Sequence, residues 1–432
     1  MRLSKLTAIT VLLFAVLSTG SLSAEAPVGP IEKGEVLTLQ RCMEIALANQ
    51  PAISAAAGSL RAAESRVGQA EAGYYPQIEL SSGYKKSHSG SGASILAPTD
   101  SNSYSAAVSL KQNIYDFGKR SLQVSVTRHN LGSFASDLEN ARIQAVFNVK
   151  QAYYGLLQSK KNLEAADEAL RRFEKHLEQA KGFYEAGARP KFDVTRAEVD
   201  LSNARVSLIK AENSVRLGRA ALNRAMGVPV APEYSIKDNL AYEKYDISLD
   251  TALSKAFASR PDLKAAVYKR MSAGAGIELS RKNYYPALNG NASYGWQGDE
   301  LPPDNEWNIA VTFTAPLFTG WLSGHQVEES RANYMAAGAN EELMRQNVIL
   351  DVTEAHLGLK EAEARISSTA LAEKQAEENL GLANGRYEEG VGNPIEITDA
   401  ASAYINAKAA HIQALTDYKT AEASLEKAMG ER

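Results

Sequence analysis

Two long stretches of this chain repeat each other without a gap, and a duplication of that size leaves few folds open. Residues 37–84 match 247–294 at a shift of about 210. Leu39 meets Leu249, Ala46 meets Ala256, Pro51 meets Pro261, and Tyr74-Tyr75-Pro76 meets Tyr284-Tyr285-Pro286. Residues 114–227 match 317–430 at a shift of about 203. There Gly187 meets Gly390, Tyr184-Glu185 meets Tyr387-Glu388, and Ala225-Met226-Gly227 meets Ala428-Met429-Gly430. The shift changes only near 85–113 and 295–316, so length differences collect there. The reading is two repeats, 37–227 and 247–430, joined by a helix-breaking segment at 228–246 that holds Val228, Pro229 and Pro232.

Each repeat reads as helix, helix, strand, strand, long helix, long helix. The long helices are expected at about 119–184, 191–226, 321–387 and 394–429. Val149, Leu156, Leu163, Leu170, Leu177 and Tyr184 fall seven apart, and a second row runs from Leu138 through Ala145, Ala152 and Phe173 to Ala180. Val194, Leu201, Leu208, Val215 and Leu222 face Ala197, Ala204, Ala211, Gly218 and Ala225. In the second copy Ile397, Tyr404, His411, Tyr418 and Leu425 face Ala400, Ala407, Ala414, Ala421 and Ala428. Sustained heptads mean coiled-coil packing, and small residues opposite large ones let helices approach closely. A helix of roughly 65 residues spans about 100 Å at ~1.5 Å per residue.

Four segments alternate instead. They are expected as strands at about 76–88, 103–116, 286–297 and 306–318. Ile78, Leu80 and Tyr84 oppose Gln77, Glu79 and Ser81; Tyr104, Ala106, Val108 and Leu110 oppose Ser105, Ser109 and Lys111. Leu288, Ala292, Tyr294 and Trp296 oppose Asn289, Asn291 and Ser293; Trp307, Ile309, Val311 and Phe313 oppose Asn308, Thr312 and Thr314. An apolar face with aromatic ends and a polar face suit a membrane β-barrel. Four strands cannot close one, because open edges are not tolerated in lipid. Three copies, giving twelve strands, are the simplest closure with a wide lumen.

The N-terminus directs export. Arg2 and Lys5 precede the apolar run Leu6–Leu17, which is short for a membrane span, and 1–24 reads as a signal peptide cleaved between 24 and 26. After it no apolar run reaches membrane-helix length, so any crossing uses strands. A net charge of −4 over 432 residues gives no basic excess for nucleic acid. The single cysteine, Cys42, cannot form an internal disulfide and reads as a small core residue. The six histidines (His88, His129, His176, His325, His356 and His411) are scattered without metal-site spacing, and Ser82-Gly83-Tyr84-Lys85 lies on an expected strand. No enzyme, cofactor or metal site is expected.

Repeat starts at Leu37-Thr38-Leu39 and Ile247-Ser248-Leu249, junctions at Tyr75-Pro76 and Tyr285-Pro286, and strand exits at Ile114-Tyr115-Asp116-Phe117-Gly118 and Leu317-Phe318-Thr319-Gly320 occur in one order in both halves. With these motifs the chain resembles the TolC-like outer-membrane efflux proteins over essentially its whole mature length. The resemblance implies an α+β, predominantly α fold and a homotrimer: a 12-stranded barrel in outer-membrane lipid on a long periplasmic α-helical barrel. It implies docking to a periplasmic adaptor of an inner-membrane pump or ABC exporter, for efflux or type I secretion. Helix-strand junctions are expected at Pro76 and Pro286. Gly187, Pro190, Gly390, Gly392 and Pro394 break the long helices, and these turns are expected to form the periplasmic tip that meets the adaptor. In the family, acids just beyond the turns line a constricted aperture, a role this reading extends to Asp193, Glu396 and Asp399. Acids there are also favoured simply by the helix dipole. Gly392 stands where relatives can carry an arginine that helps lock the closed state. The competing expectation from the heptads alone is a periplasmic coiled-coil adaptor or scaffold without a pore, which would lack the four strands.

Overall fold

The computed structural model describes residues 29–89, 99–300 and 304–432; the expected signal peptide lies outside them. In chain order the elements are β1 (Val36–Leu37), α1 (Leu39–Asn49), α2 (Pro51–Ala72), β2 (Gln77–Ser89), β3 (Thr99–Tyr115), α3 (Lys119–Glu185) and α4 (Lys191–Ala225). Then follow β4 (Ser235–Ile236), α5 (Leu249–Ser259), α6 (Pro261–Arg281), β5 (Ala287–Gly298), β6 (Asp304–Thr314), α7 (Leu322–Glu388) and α8 (Pro394–Ala428).

Local chemistry sets the breaks. The Thr38 hydroxyl accepts from the Arg41 amide and Ser248 accepts from Thr251, capping α1 and α5. Pro51 and Pro261 open α2 and α6, where a missing amide proton costs nothing. The residues before them serve a second purpose. The Gln50 side chain donates to the carbonyls of Arg224 and Ala225 at the end of α4. Arg260 donates to the Ala428 carbonyl at the end of α8, and is itself held by Asp262 and Asp351 at 2.6 and 2.8 Å. Both helix ends thus have side-chain donors for carbonyls that would otherwise lack partners.

The long helices α3, α4 and α8 bury most of the heptad rows expected of them. Val149, Leu156, Leu201, Leu222, Tyr404, Tyr418 and Leu425 are buried, as are the small residues Ala197, Ala204, Ala400, Ala414 and Ala428. Tyr184 is the exception, 46% exposed where the α3 row runs out. α3 pairs with α4 and α7 with α8, while α3 and α8 pack on each other in the middle. A polar ladder crosses that middle seam: Lys150–Glu426 at 2.5 Å, Gln158–Gln413, and Lys408–Glu168 at 2.6 Å. α4 and α7 are left on the flanks.

The segment 228–246, expected only as a break, holds a strand the sequence pattern did not indicate. Ser235–Ile236 pairs in parallel with Val36–Leu37. Two residues are too few to show periodicity. The buried Tyr153 of α3 fastens both strands, its hydroxyl lying 2.6 Å from the Lys237 carbonyl and 3.3 Å from that of Leu37.

The other four strands form one antiparallel sheet, ordered β2-β3-β5-β6. Its register lines up Leu80, Val108, Tyr294 and Trp307, and next to them Ile78, Leu110, Ala292 and Ile309. Side chains alternate across a strand, so these rows share one face. Glu79, Ser109, Ser293 and Asn308 line up on the other.

Candidate functional site

Two features of the protomer have no partner within it. The first is the sheet. Leu80, Trp307, Ile309, Val311 and Phe313 on its apolar face are exposed. An exposed apolar patch of this kind marks a surface that meets lipid or protein. Both outer strands, β2 and β6, are bonded along one side only among the described residues. At the base of the sheet Pro76 and Pro286 immediately precede β2 and β5, beside the exposed Tyr74, Tyr75, Tyr284 and Tyr285.

The second is the helical flank. Leu343, Leu350 and Leu357 stand seven apart on α7, with Leu371 two heptads further on, and all four are exposed. Phe192, Val199 and Val206 do the same on α4, with Ile209 and Leu217 beyond them. These are coiled-coil seams with nothing seated in them.

At the far end of the helices two turns meet. Each ends its helix with a left-handed glycine, Gly187 at φ +72° and Gly390 at φ +79°. The bonds Ala188 N–H to Phe183 O and Val391 N–H to Arg386 O complete the helix-terminating motif. Pro190 caps α4, Pro394 opens α8, and the Asn393 side chain accepts from the Ile395 amide. Gly392 lies so close to the backbone of Arg386 and Tyr387 that a Cβ would stand 2.8 Å from the Tyr387 nitrogen. No side chain fits there in this conformation.

The three acids named from the sequence separate. Glu396 and Asp399 are exposed on α8, and Glu396 pairs with Arg386 at 3.3 Å. Asp193 is only 5% exposed, and its Oδ2 has no protein partner. It belongs to the packed interior of the tip, so its carboxylate is not presented beside the other two. Near it lie residues that sequence reasoning passed over. Tyr387 is fully buried, T-stacked on Phe183 at 5.5 Å and tilted against His176 at 5.3 Å. His176 is 6% exposed, and burial holds its pKa below the ordinary imidazole value against the pull of Asp200 and Asp193. Arg189 of the first turn reaches the second: its Nη2 donates to the carbonyls of Gly390 at 3.1 Å and Gly392 at 2.8 Å. Its guanidinium lies 5.3 Å from the Tyr387 ring centroid. One signal for Arg189 was present in the repeat, because at the 203-residue shift it occupies the position of Gly392. Among the described residues no group of three His, Cys, Asp or Glu could hold a metal.

The family model described as outer membrane efflux protein matches residues 42–228 and 252–431. The chain belongs to the outer membrane efflux protein family. It is an outer-membrane protein. Among its relatives are protein CyaE of Bordetella pertussis, 25% identical over 93% of this chain and 86% of that one. Another is the outer membrane protein TolC of Vibrio cholerae, 24% identical over 88% of each chain. The fold matches the Campylobacter jejuni CmeC outer membrane channel with a TM-score of 0.80 at 18% identity, covering 95% of this chain and 90% of the other.

Proposed function

We propose that three copies of this outer membrane efflux protein close into a duct through which an inner-membrane pump or ABC exporter discharges its substrates. The observation that carries this reading is that sheet and helices are open in the same way. A twelve-stranded barrel forms if β6 of one protomer pairs with β2 of the next, which removes every edge and turns the apolar face to lipid. The same rotation seats the flank of α7 against the flank of α4. The two run in opposite directions, and Leu371 and Val206 sit at matching heights above the tip. The helical body then continues the barrel into the periplasm, and the tip turns, Gly187 to Pro190 and Gly390 to Pro394, meet the periplasmic adaptor. The described residues carry no metal cluster, and the pump supplies the energy. An unheated denaturing gel of the outer-membrane fraction tests this. A heat-sensitive trimer is expected, whereas a soluble monomer or dimer would overturn the duct in favour of a coiled-coil scaffold.

Within the duct, Glu396 and Asp399 form acidic rings at the narrow end, and acidic rings favour cations. Asp193, buried behind them, backs the aperture and does not line it. Replacing Glu396 and Asp399 together by alanine is expected to raise single-channel conductance in a planar bilayer and to lower cation selectivity. Unchanged conductance and selectivity would remove these residues from the aperture.

A further inference from the structure

The duplication joins sheet to helices twice, and the two joints are not alike. At the first, the bulge in β3 between Asn113 and Tyr115 turns Tyr115 onto the apolar face, in a row with Leu288 and Phe313. Phe117 continues that face past the strand end. Its ring centroid lies 4.7 Å from that of Tyr115 and 5.8 Å from that of Tyr285. Lys282, in the short helical turn after α6, follows, with Nζ 4.4 Å from the Tyr285 ring centroid. Three rings and one ammonium thus run from the lower margin of the apolar face toward the helices. All three rings are exposed, although the backbone at Phe117 has φ +55°, a region that disfavours bulky side chains. Burial within the protomer does not offset that strain.

The charges at the same level are unevenly partnered. Arg120 pairs with the buried Asp116 at 2.7 Å, Arg128 with Glu71 at 2.7 Å and Arg281 with Glu278 at 2.5 Å. Asp116 is further occupied by the amides of Gly118 and Arg120. Glu79 stands on the opposite face of the sheet beside Lys111. Among the described residues no carboxylate is paired with Lys119 or Lys282. The exposed Lys119 donates to the neutral Asn283 side chain at 2.8 Å, which places it next to Lys282. At the second joint the repeat equivalents of Lys119 and Lys282 are Leu322 and Ala72. That joint keeps the aromatic pair Phe318 and Trp321, and a left-handed aromatic, Trp321 at φ +69°, but neither cation. A packing role shared by both joints accounts for the aromatic residues. It does not account for two unpaired lysines at one of them.

We propose that Lys119 and Lys282, with the rings of Tyr115, Phe117 and Tyr285, bind the phosphate of an anionic phospholipid in the periplasmic leaflet of the outer membrane. This rests on the barrel reading, which turns the apolar face to lipid. Aromatic rings settle at the headgroup level of a bilayer, and ammonium groups just beyond them attract anionic headgroups. A lipid satisfies both halves of the site, since its acyl chains cover the apolar row while its phosphate meets the lysines. A free phosphate would leave the rings uncovered. Because only the first joint has the lysines, each chain holds one such lipid.

The test uses the full-length protein in detergent, with native mass spectrometry counting the lipids retained per chain. One phosphatidylglycerol per chain is expected to be held more tightly than phosphatidylethanolamine. Each lysine near a lipid surface contributes roughly five-fold, so Lys119→Gln with Lys282→Gln should weaken phosphatidylglycerol binding about 30-fold. Lys119→Arg with Lys282→Arg should retain it. Lys85→Gln with Lys86→Gln, the same charge change at the other end of β2, should leave it unaltered. Undiminished binding in the Lys119 and Lys282 glutamine pair, or an equal loss in the Lys85 and Lys86 pair, overturns the site. Equal retention of the two lipids overturns its preference for an anionic headgroup. Displacement of the lipid by an equal concentration of inorganic phosphate would make it a free-anion site and overturn the lipid assignment. Unheated gels of the same samples report separately on the barrel. A wild type without a heat-sensitive trimer would refute the duct, and the lipid count per chain would still decide the site.

Discussion

Aspartate at both Val206 and Leu371 is expected to abolish the heat-sensitive trimer while leaving each protomer helical. Both side chains are exposed in the protomer, so within it the substitutions cost little, on the order of 0.5 kcal/mol each. In the proposed trimer they would face each other across every junction. Seating a leucine or valine in such a seam contributes roughly 1.5–3 kcal/mol, and replacing it with an unpaired charge removes that and adds a desolvation cost of similar or greater size. Three junctions per trimer repeat the loss. The expected readout is a single monomer band in unheated gels, with the helical circular dichroism of the wild type. The control is aspartate at Thr195 and Glu373, two exposed or half-exposed polar positions of the same helices, which should leave the trimer intact. A trimer that survives the Val206 and Leu371 pair would show that α4 and α7 are not the mating flanks.

Those flanks also show how far the sequence could be read. Heptads appear wherever a helix meets another, whichever chain the other belongs to. The rows through Leu156 and Leu201 are filled within the protomer; the Leu343–Leu371 row is not, and composition alone does not separate them. The strands were legible because alternation survives in short windows, but their ends were not. β3 begins at Thr99, earlier than the expected 103, because its first residues are polar on both faces. β6 ends at Thr314 and not near 318, since the apolar Leu317 and Phe318 belong to the exit toward α7. The two-residue ladder of β1 and β4 left no pattern at all. At the tip, the turns were visible through glycine and proline. The side chains gathered there were not, because Arg189, His176 and Tyr387 come from segments more than ten residues apart and only folding brings them together. Asp193 shows the limit most plainly. It is the repeat equivalent of Glu396, yet one is buried and the other exposed.

The repeated Ala-Met-Gly motif carries the other large prediction: Gly227→Ala and Gly430→Ala should each destabilise the protein far more than Gly187→Ala. All three glycines end a helix in the left-handed region, with φ of +73°, +78° and +72°. That conformation alone costs an alanine about 1–2 kcal/mol. The difference lies in what surrounds them. A Cβ at Gly187 meets nothing within 4 Å. At Gly227 it would stand 2.6 Å from the Asn49 carbonyl oxygen, and at Gly430 2.9 Å from the Arg260 backbone. Both contacts are with main chain at the junction of two short helices, where Gln50 and Arg260 already bond the ends of α4 and α8. The backbone cannot retreat without breaking those bonds, so overpacking adds roughly another 1–3 kcal/mol. The expected order of apparent melting temperatures is wild type, then Gly187→Ala, then Gly430→Ala, with Gly227→Ala lowest. Equal losses at Gly187 and Gly227 would mean that backbone strain alone sets the cost. In that case the close packing of the helix ends on α1–α2 and α5–α6 would not be what makes glycine necessary there.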